Sequence, residues 1–111
     1  MIPATIDHKI AGYSKSVRRM GKDRRLLATH ISLFTALFVQ WQRNGFISPF
    51  HVTRKELMGI SRIASVATSH NCIRQLDAYG FIIYQPSFNP KAGSLVYWRE
   101  QQPDIRYPVT M

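Results

Sequence analysis

Residues 53–98 read TRKELMGISRIASVATSHNCIRQLDAYGFIIYQPSFNPKAGSLVYW, and the run from Ser65 to Gly80 is the centre of that stretch. Ser69, Cys72, Ile73, Leu76 and Tyr79 recur at i, i+3, i+4, i+7 and i+10, which is one face of an α-helix. Ser65 supplies an N-cap hydroxyl and Gly80 a left-handed C-cap. Ala67, His70, Asn71, Arg74 and Ala78 repeat the spacing on the opposite side, which is small, polar and basic and carries no acid. A solvated face needs no more than that. The same residues also suit a major groove, because small side chains permit close approach and Asn and Arg donate to base edges.

The flanks of this helix decide between those two readings. Thr53-Arg54-Lys55-Glu56 is a capping box, with a Thr N-cap and Glu at the third helical position. The spacing predicts a helix from there to Arg62 or Ile63, with Leu57, Ile60 and Ile63 inward, and a turn at Ala64. Arg54 and Lys55, at the start of that helix, suit phosphate contacts. After Gly80, residues 81–85 and 94–98 are rich in β-branched and aromatic side chains and read as two strands. The loop between them, PSFNPKAG, is punctuated by Pro and Gly and carries Lys91 near its tip.

Upstream, Leu26, Leu27, His30, Ile31, Phe34, Leu37, Phe38 and Trp41 mark a wide apolar helical face that ends at Asn44-Gly45. Asp23 or Thr29 is placed to cap this helix. His30 lies at the edge of the face and is expected to be a hydrogen-bonded structural histidine. Phe38 and Trp41 could exceed what a small core hides and feed a dimer seam. FISPFHV, residues 46–52, is expected to be a short extended segment against the sheet edge, because Pro49 forbids a central strand. Residues 1–25 form a basic N-terminal arm, with Pro3, Gly12 and Gly21 interrupting long periodicity and Ile6, Ile10, Tyr13 and Val17 able to make a turn or two against the domain. Residues 26–100 form the domain itself. Residues 101–111 read as an irregular tail with Pro103 and Pro108.

The chain has 111 residues, enough for one domain and a small core. Fifteen Lys and Arg oppose six Asp and Glu, giving a net charge of +9. That excess predicts attraction to a polyanion, most often nucleic acid. The single cysteine, Cys72, excludes an internal disulfide and sits on the packed face as a buried thiol. The longest apolar-rich region, residues 26–41, is interrupted by polar residues, so no membrane span and no apolar signal core is expected.

In this order, the elements resemble winged helix-turn-helix DNA-binding proteins, an α+β fold with a three-helix core and a β-hairpin wing. More narrowly, THISLFTALFVQW, ELMGISRIASVATSHNCIRQLDAYGFI and YQPSFNPKAGSLV are similar to a family of small winged-helix proteins found on bacterial conjugative and integrative elements. These segments cover roughly residues 29–97. The resemblance implies a DNA-binding or regulatory protein of a mobile element in the bacterial cytoplasm, associated with the nucleoid. It implies double-stranded DNA as partner and, since winged regulators commonly bind two half-sites, a homodimer. The departure from the family lies at Val66, Ala67 and Asn71, where many winged-helix readers carry Lys or Arg. That shifts weight to the arm and the wing.

In this reading Ser65, Ala67 and Thr68 bring the helix N-terminus to the phosphates, and Ser69 joins them if the helix rolls towards the backbone. His70, Asn71 and Arg74 reach base edges. Lys91 in the wing and the arm, including Arg18 and Arg19, hold flanking phosphates. No catalytic pairing of acids, no HxxxH or CxxC metal spacing and no Gly-rich phosphate loop occurs, so no enzyme, metal, cofactor or small-molecule ligand is expected. The competing reading is a winged-helix protein–protein interaction module without direct DNA readout. The place of the charge separates the two. Arg54, Lys55, Arg62, Arg74, Lys91 and the arm on one continuous surface favour DNA, whereas an exposed patch of Phe38, Trp41 or Phe88 favours a protein partner.

Overall fold

A computed structural model of the chain describes residues 4–87 and 93–99. Four helices and three strands follow in the order α1 (Ala4–Met20), α2 (Ala28–Arg43), β1 (Phe50–Val52), α3 (Arg54–Ser61), α4 (Val66–Ala78), β2 (Ile82–Gln85) and β3 (Ser94–Trp98). The fold is α+β, with one antiparallel three-stranded sheet of order β1-β3-β2.

Helix α2 is the hub, packing against α1, α3, α4 and β1. Its Leu33, Phe34, Ala36, Leu37 and Trp41 are fully buried. Around Trp41 an aromatic cluster closes the core. Trp98 stacks on Trp41 at 4.6 Å and on Phe34 at 4.8 Å, and Phe46 meets Trp41 edge-on at 4.9 Å. Trp41 is therefore no dimer seam, since nothing of its side chain remains to offer a second copy. Phe38 is half-buried under Tyr13, with ring centroids 4.1 Å apart.

Neither Asp23 nor Thr29 caps α2. The N-cap is Leu27, whose side chain can accept nothing. The His30 ring reaches back instead, and its Nδ1 accepts from the Leu27 amide at 2.9 Å. With Nδ1 an acceptor, Nε2 carries the proton and donates to Gln75 Oε1 at 2.6 Å. His30 is thus the buried, hydrogen-bonded residue expected, and it ties the start of α2 to α4. Asp23 serves the preceding turn, where its carboxylate accepts from the Arg25 amide at 3.0 Å and from two guanidinium nitrogens at 2.9 and 2.6 Å. The hydrogen bond from the Arg25 side chain, then that from its amide, lowers the Asp23 carboxyl from 3.8 to about 2. A depressed carboxyl contributes stability above its ordinary value and loses it as pH falls through the folded value, here between about 4 and 2. Carboxyl NMR should give an Asp23 midpoint near 2, and Arg25→Ala should return it towards 3.8. A midpoint near 4 in the intact protein would contradict the chelate.

The basic segment at the start of the chain is a continuous helix despite Gly12. A mid-helix Gly costs about 1 kcal/mol relative to Ala, which burial on the inner face of α1 offsets. Met20 is buried, Tyr13 and Val17 pack against the core, and the Tyr13 hydroxyl lies 3.0 Å from Thr35 Oγ1.

Helix α3 begins at the expected Thr53 N-cap, although the Glu56 carboxylate bonds the Thr53 hydroxyl and not its amide. Thr53 Oγ1 accepts from the Glu56 amide at 3.2 Å and donates to the Glu56 carboxylate at 3.0 Å. Its end differs from expectation. Arg62, not Ala64, takes the left-handed conformation (φ 63°), so Ile63 is turned out of helical register yet still buried. Ser61 takes the inward place expected of Ile60, which is 37% exposed. Ser61 is held there by the Ser32 hydroxyl, which donates to its carbonyl.

Helix α4 follows the expected pattern. Ser69, Cys72, Ile73 and Leu76 are buried, and Ser65 caps the helix through the Thr68 amide at 3.2 Å. At the other end the Phe81 amide reaches the Leu76 carbonyl and the Gly80 amide that of Asp77, the two bonds of a Schellman motif with Gly80 at φ 86°. β1 pairs with β3 in the register Phe50↔Val96, so the extended segment does take the sheet edge. It starts directly after Pro49, and the Ser48 hydroxyl accepts from the Trp98 amide at 2.8 Å where the strand has not yet begun.

Candidate nucleic-acid interface

The sequence of α4 dictates which side it shows. With the aliphatic stripe spent on the core, Ala67, His70, Asn71, Arg74 and Ala78 all lie exposed on the outward side. Ser65 is exposed at its start. The α4 first turn holds no acid. Ser65 Oγ occupies the Thr68 amide, and the Ser69 amide is bonded to the Ser65 carbonyl. Among the described residues nothing accepts from the Val66 and Ala67 amides at the positive end of the helix, which leaves them for an external acceptor. Thr68 is half-buried on the flank towards Thr29 and Arg62, and Ser69 faces the core, so the rolled pose that would bring Ser69 to a phosphate is closed.

On one flank of α4 lies an open groove of about 680 Å³. Its walls are the N-terminal turn of α3 with Arg54 and Lys55, the Val66 and His70 side of α4, and the base of the β2–β3 hairpin with Tyr84, Ser87 and Ser94. Ile73 and Leu57 form an apolar floor. The Tyr84 hydroxyl lies 3.3 Å from Ser94 Oγ and links the two strands across the groove. Gly93 lets the hairpin approach the end of β1 this closely, because a Cβ there would sit 2.6 Å from the Val52 carbonyl oxygen. One turn further along α4, Arg74 shares a second cleft with His70, Asp77 and Tyr84. The Asp77 carboxylate accepts from the Tyr84 amide at 3.2 Å, which covers part of the free edge of β2.

Arg54 and Lys55 stand at the first two positions of α3, where the helix dipole disfavours cations by some tenths of a kcal/mol. Helix stability does not explain them. Glu56 at the next position offsets part of the cost. Both cations are exposed beside a groove they share with His70, an arrangement suited to an anion outside the protein.

Among the expected site residues, Arg54, Lys55, His70 and Arg74 thus lie along one side of α4, while Ala67 and Asn71 occupy its crest. Arg62 and Thr68 line the opposite flank. Neither Arg18 nor Arg19 lines either of these clefts. Arg18 donates to Ser14 within α1, and the Arg19 guanidinium lies 4.2 Å from the Phe81 ring centroid. Lys91 and Phe88 lie outside the described residues, as does the tail. Tyr84, Ser87 and Ser94 went unnoticed in the sequence. Their alternation along the strands is the one signal that could have marked Tyr84 and Ser94. Among the described residues no cluster of His, Cys, Asp and Glu could hold a metal ion, and no helix is long and apolar enough to cross a membrane. Comparison with protein-family models, curated proteins and solved structures found no match for this chain.

Proposed function

We propose that this chain is a winged helix-turn-helix protein that binds double-stranded DNA, with α3 and α4 as the paired helices and the β2–β3 hairpin as the wing. One observation carries the reading: cations stand where their own helix disfavours them, beside the acid-free outward face of α4. A helix about 10–12 Å across fits a major groove about 12 Å wide. His70, Asn71 and Arg74 then face base edges, while Arg54, Lys55 and the free amides of Val66 and Ala67 take phosphates. Nothing in this arrangement requires chemistry on a substrate. The protein serves as a regulator or accessory factor of a mobile element, and a homodimer would present two copies of α4 to two half-sites.

Fluorescence anisotropy on duplex DNA tests this. If about six phosphates are neutralised, the slope of log K against log salt is about −5. Arg74→Ala should cost about 1–3 kcal/mol on a selected site and little on random duplex, whereas Lys55→Ala should weaken both alike and reduce the slope by about 1. Equal losses from Arg74→Ala on every sequence would remove α4 as the reader. A second reading has one observation in its favour. Ile83 and Tyr97, cross-strand neighbours on the outer sheet face, are 41% and 37% exposed and offer a small apolar patch to a protein partner. Absence of duplex binding at low salt would select it.

A further inference from the structure

A helix lying along a major groove has a sugar–phosphate strand on each side, because the groove is about as wide as the helix. On α4 the flank towards the hairpin carries Val66, His70 and Asp77, and Arg54 and Lys55 stand beside it. At about 100° per residue, Thr68, Gln75 and Tyr79 fall on the opposite flank, with the crest of Ala67, Asn71 and Arg74 between the two. The contacts agree. Thr68 shares a cleft with Thr29 and Arg62, and Gln75 Oε1 accepts from the His30 ring. This second flank therefore runs along the start of α2.

A cation stands at each end of it. Arg62, in the left-handed turn before α4, is exposed and lines the cleft that holds Ser65 and Thr68. Arg25, in the turn before α2, has its guanidinium 3.9 Å from the Tyr79 ring centroid. Asp77, the one acid of α4, lies on the hairpin flank instead.

The Asp23 chelate does not cancel Arg25. Among the described residues Asp23 is the acceptor of its side chain and engages Nε and Nη2, which leaves Nη1 for an acceptor outside the chain. The cation is also the outward member of the pair, since the Arg25 side chain is 57% exposed and that of Asp23 16%. Stacking on Tyr79 and chelation by Asp23 fix the guanidinium before a ligand arrives, which lowers the ordering cost of binding.

We infer that Arg25 and Arg62 hold phosphates of the second strand of the duplex, so that α4 lies lengthwise in the major groove with Arg54 and Lys55 on one strand and Arg62 and Arg25 on the other. The inference rests on the α4 reading and specifies its pose. In an end-on pose that led with the α4 N-terminus, Tyr79 would lie about 20 Å behind Ser65 and Arg25 would reach no phosphate.

Salt-dependent anisotropy on random duplex and phosphate-ethylation interference on a duplex recovered by site selection test this together. Arg25→Gln and Arg62→Gln each remove one charge and keep a polar side chain. Each should lower the slope of log K against log salt by about 1 and weaken binding about eightfold at about 0.1 M salt. The Arg25→Gln loss should persist in combination with Asp23→Asn, which removes the carboxylate left unpaired. Asp23→Asn alone breaks the chelate but keeps the cation, and should bind at least as tightly as the parent. With the intact protein, ethylation should interfere on both strands. Arg25→Gln should erase interference on one strand and Lys55→Ala on the other. An unchanged slope in Arg25→Gln overturns the inference and leaves the α4 reading standing, with the helix entering end-on. Loss of interference on the same strand as in Lys55→Ala also overturns it. So does a loss in Asp23→Asn equal to that in Arg25→Gln, because Arg25 would then act by shaping the turn. Where Arg25→Gln lowers the melting temperature below the assay range, Arg62→Gln, which leaves the chelate intact, decides by the same slope and strand criteria. Failure of the intact protein to bind any duplex is a separate result and removes the α4 reading itself.

Discussion

Trp41→Ala should lower the stability of the domain by about 3–5 kcal/mol, the range for truncating a fully buried large aromatic. Trp41 is 0% exposed and lies between Trp98 and Phe46, with the Lys9 ammonium 5.1 Å above its ring. Removing the indole leaves a cavity bounded by α2 and by β3, neither of which can collapse without breaking its own hydrogen bonds. A domain of this size has about 5–15 kcal/mol in all, and about 1 kcal/mol moves its melting temperature by roughly 4–8 °C. Thermal unfolding followed by circular dichroism should thus show a fall well beyond 10 °C, roughly 12 °C at the low end of these ranges. Trp41→Phe makes the contrast. The indole Nε1 is buried with no hydrogen-bond partner among the described residues, so Phe keeps most of the packing and removes an unsatisfied donor. Its cost should be clearly smaller. Similar losses for Ala and Phe would show that the ring stacking is not what holds this corner.

Gly93→Ala should be nearly as damaging, and for a reason independent of the core. Gly93 has φ +73°, a conformation that costs a side chain about 1–2 kcal/mol. The added Cβ would also meet the Val52 carbonyl oxygen at 2.6 Å, and a backbone atom cannot rotate aside. The relief is for the hairpin to move away from β1 and the start of α3. That movement widens the groove between Arg54 and Ser94, so affinity for duplex DNA should fall together with stability. Equilibrium urea unfolding and anisotropy on the same preparation measure both. A variant that unfolds like the parent, with unchanged DNA affinity, would show that the hairpin is not held against the end of β1 by this contact.

The legible parts of the fold are those specified within a turn or two of chain. The α4 stripe, the Ser65 and Gly80 caps, the Thr53 N-cap and the alternation of the two hairpin strands each need only neighbours a few residues away, and each is found where the sequence places it. The exposed face of α4 follows from the same periodicity, because burying Cys72 and Leu76 turns Asn71 and Arg74 outward. Segments whose partners lie far along the chain were not legible. Gly12 argued against a long first helix, yet Tyr13 finds Thr35 at a separation of 22 residues, and that packing outweighs propensity. The Leu27 cap relies on a His30 ring held by Gln75, 45 residues on. Ile60 and Ser61 exchange places because Ser32 claims the Ser61 carbonyl.

Sequence by itself therefore determined the order of elements from α2 onward, the excess of positive charge and the residues on each face of α4. Tertiary structure alone decided where the charges meet. Packing of α3 beside α4 placed Arg54 and Lys55 in one groove with His70, a groove that neither Arg18 nor Arg19 lines. Periodicity fixes the direction of a side chain about its own axis, but the angle between two elements is set by the side chains that interlock between them.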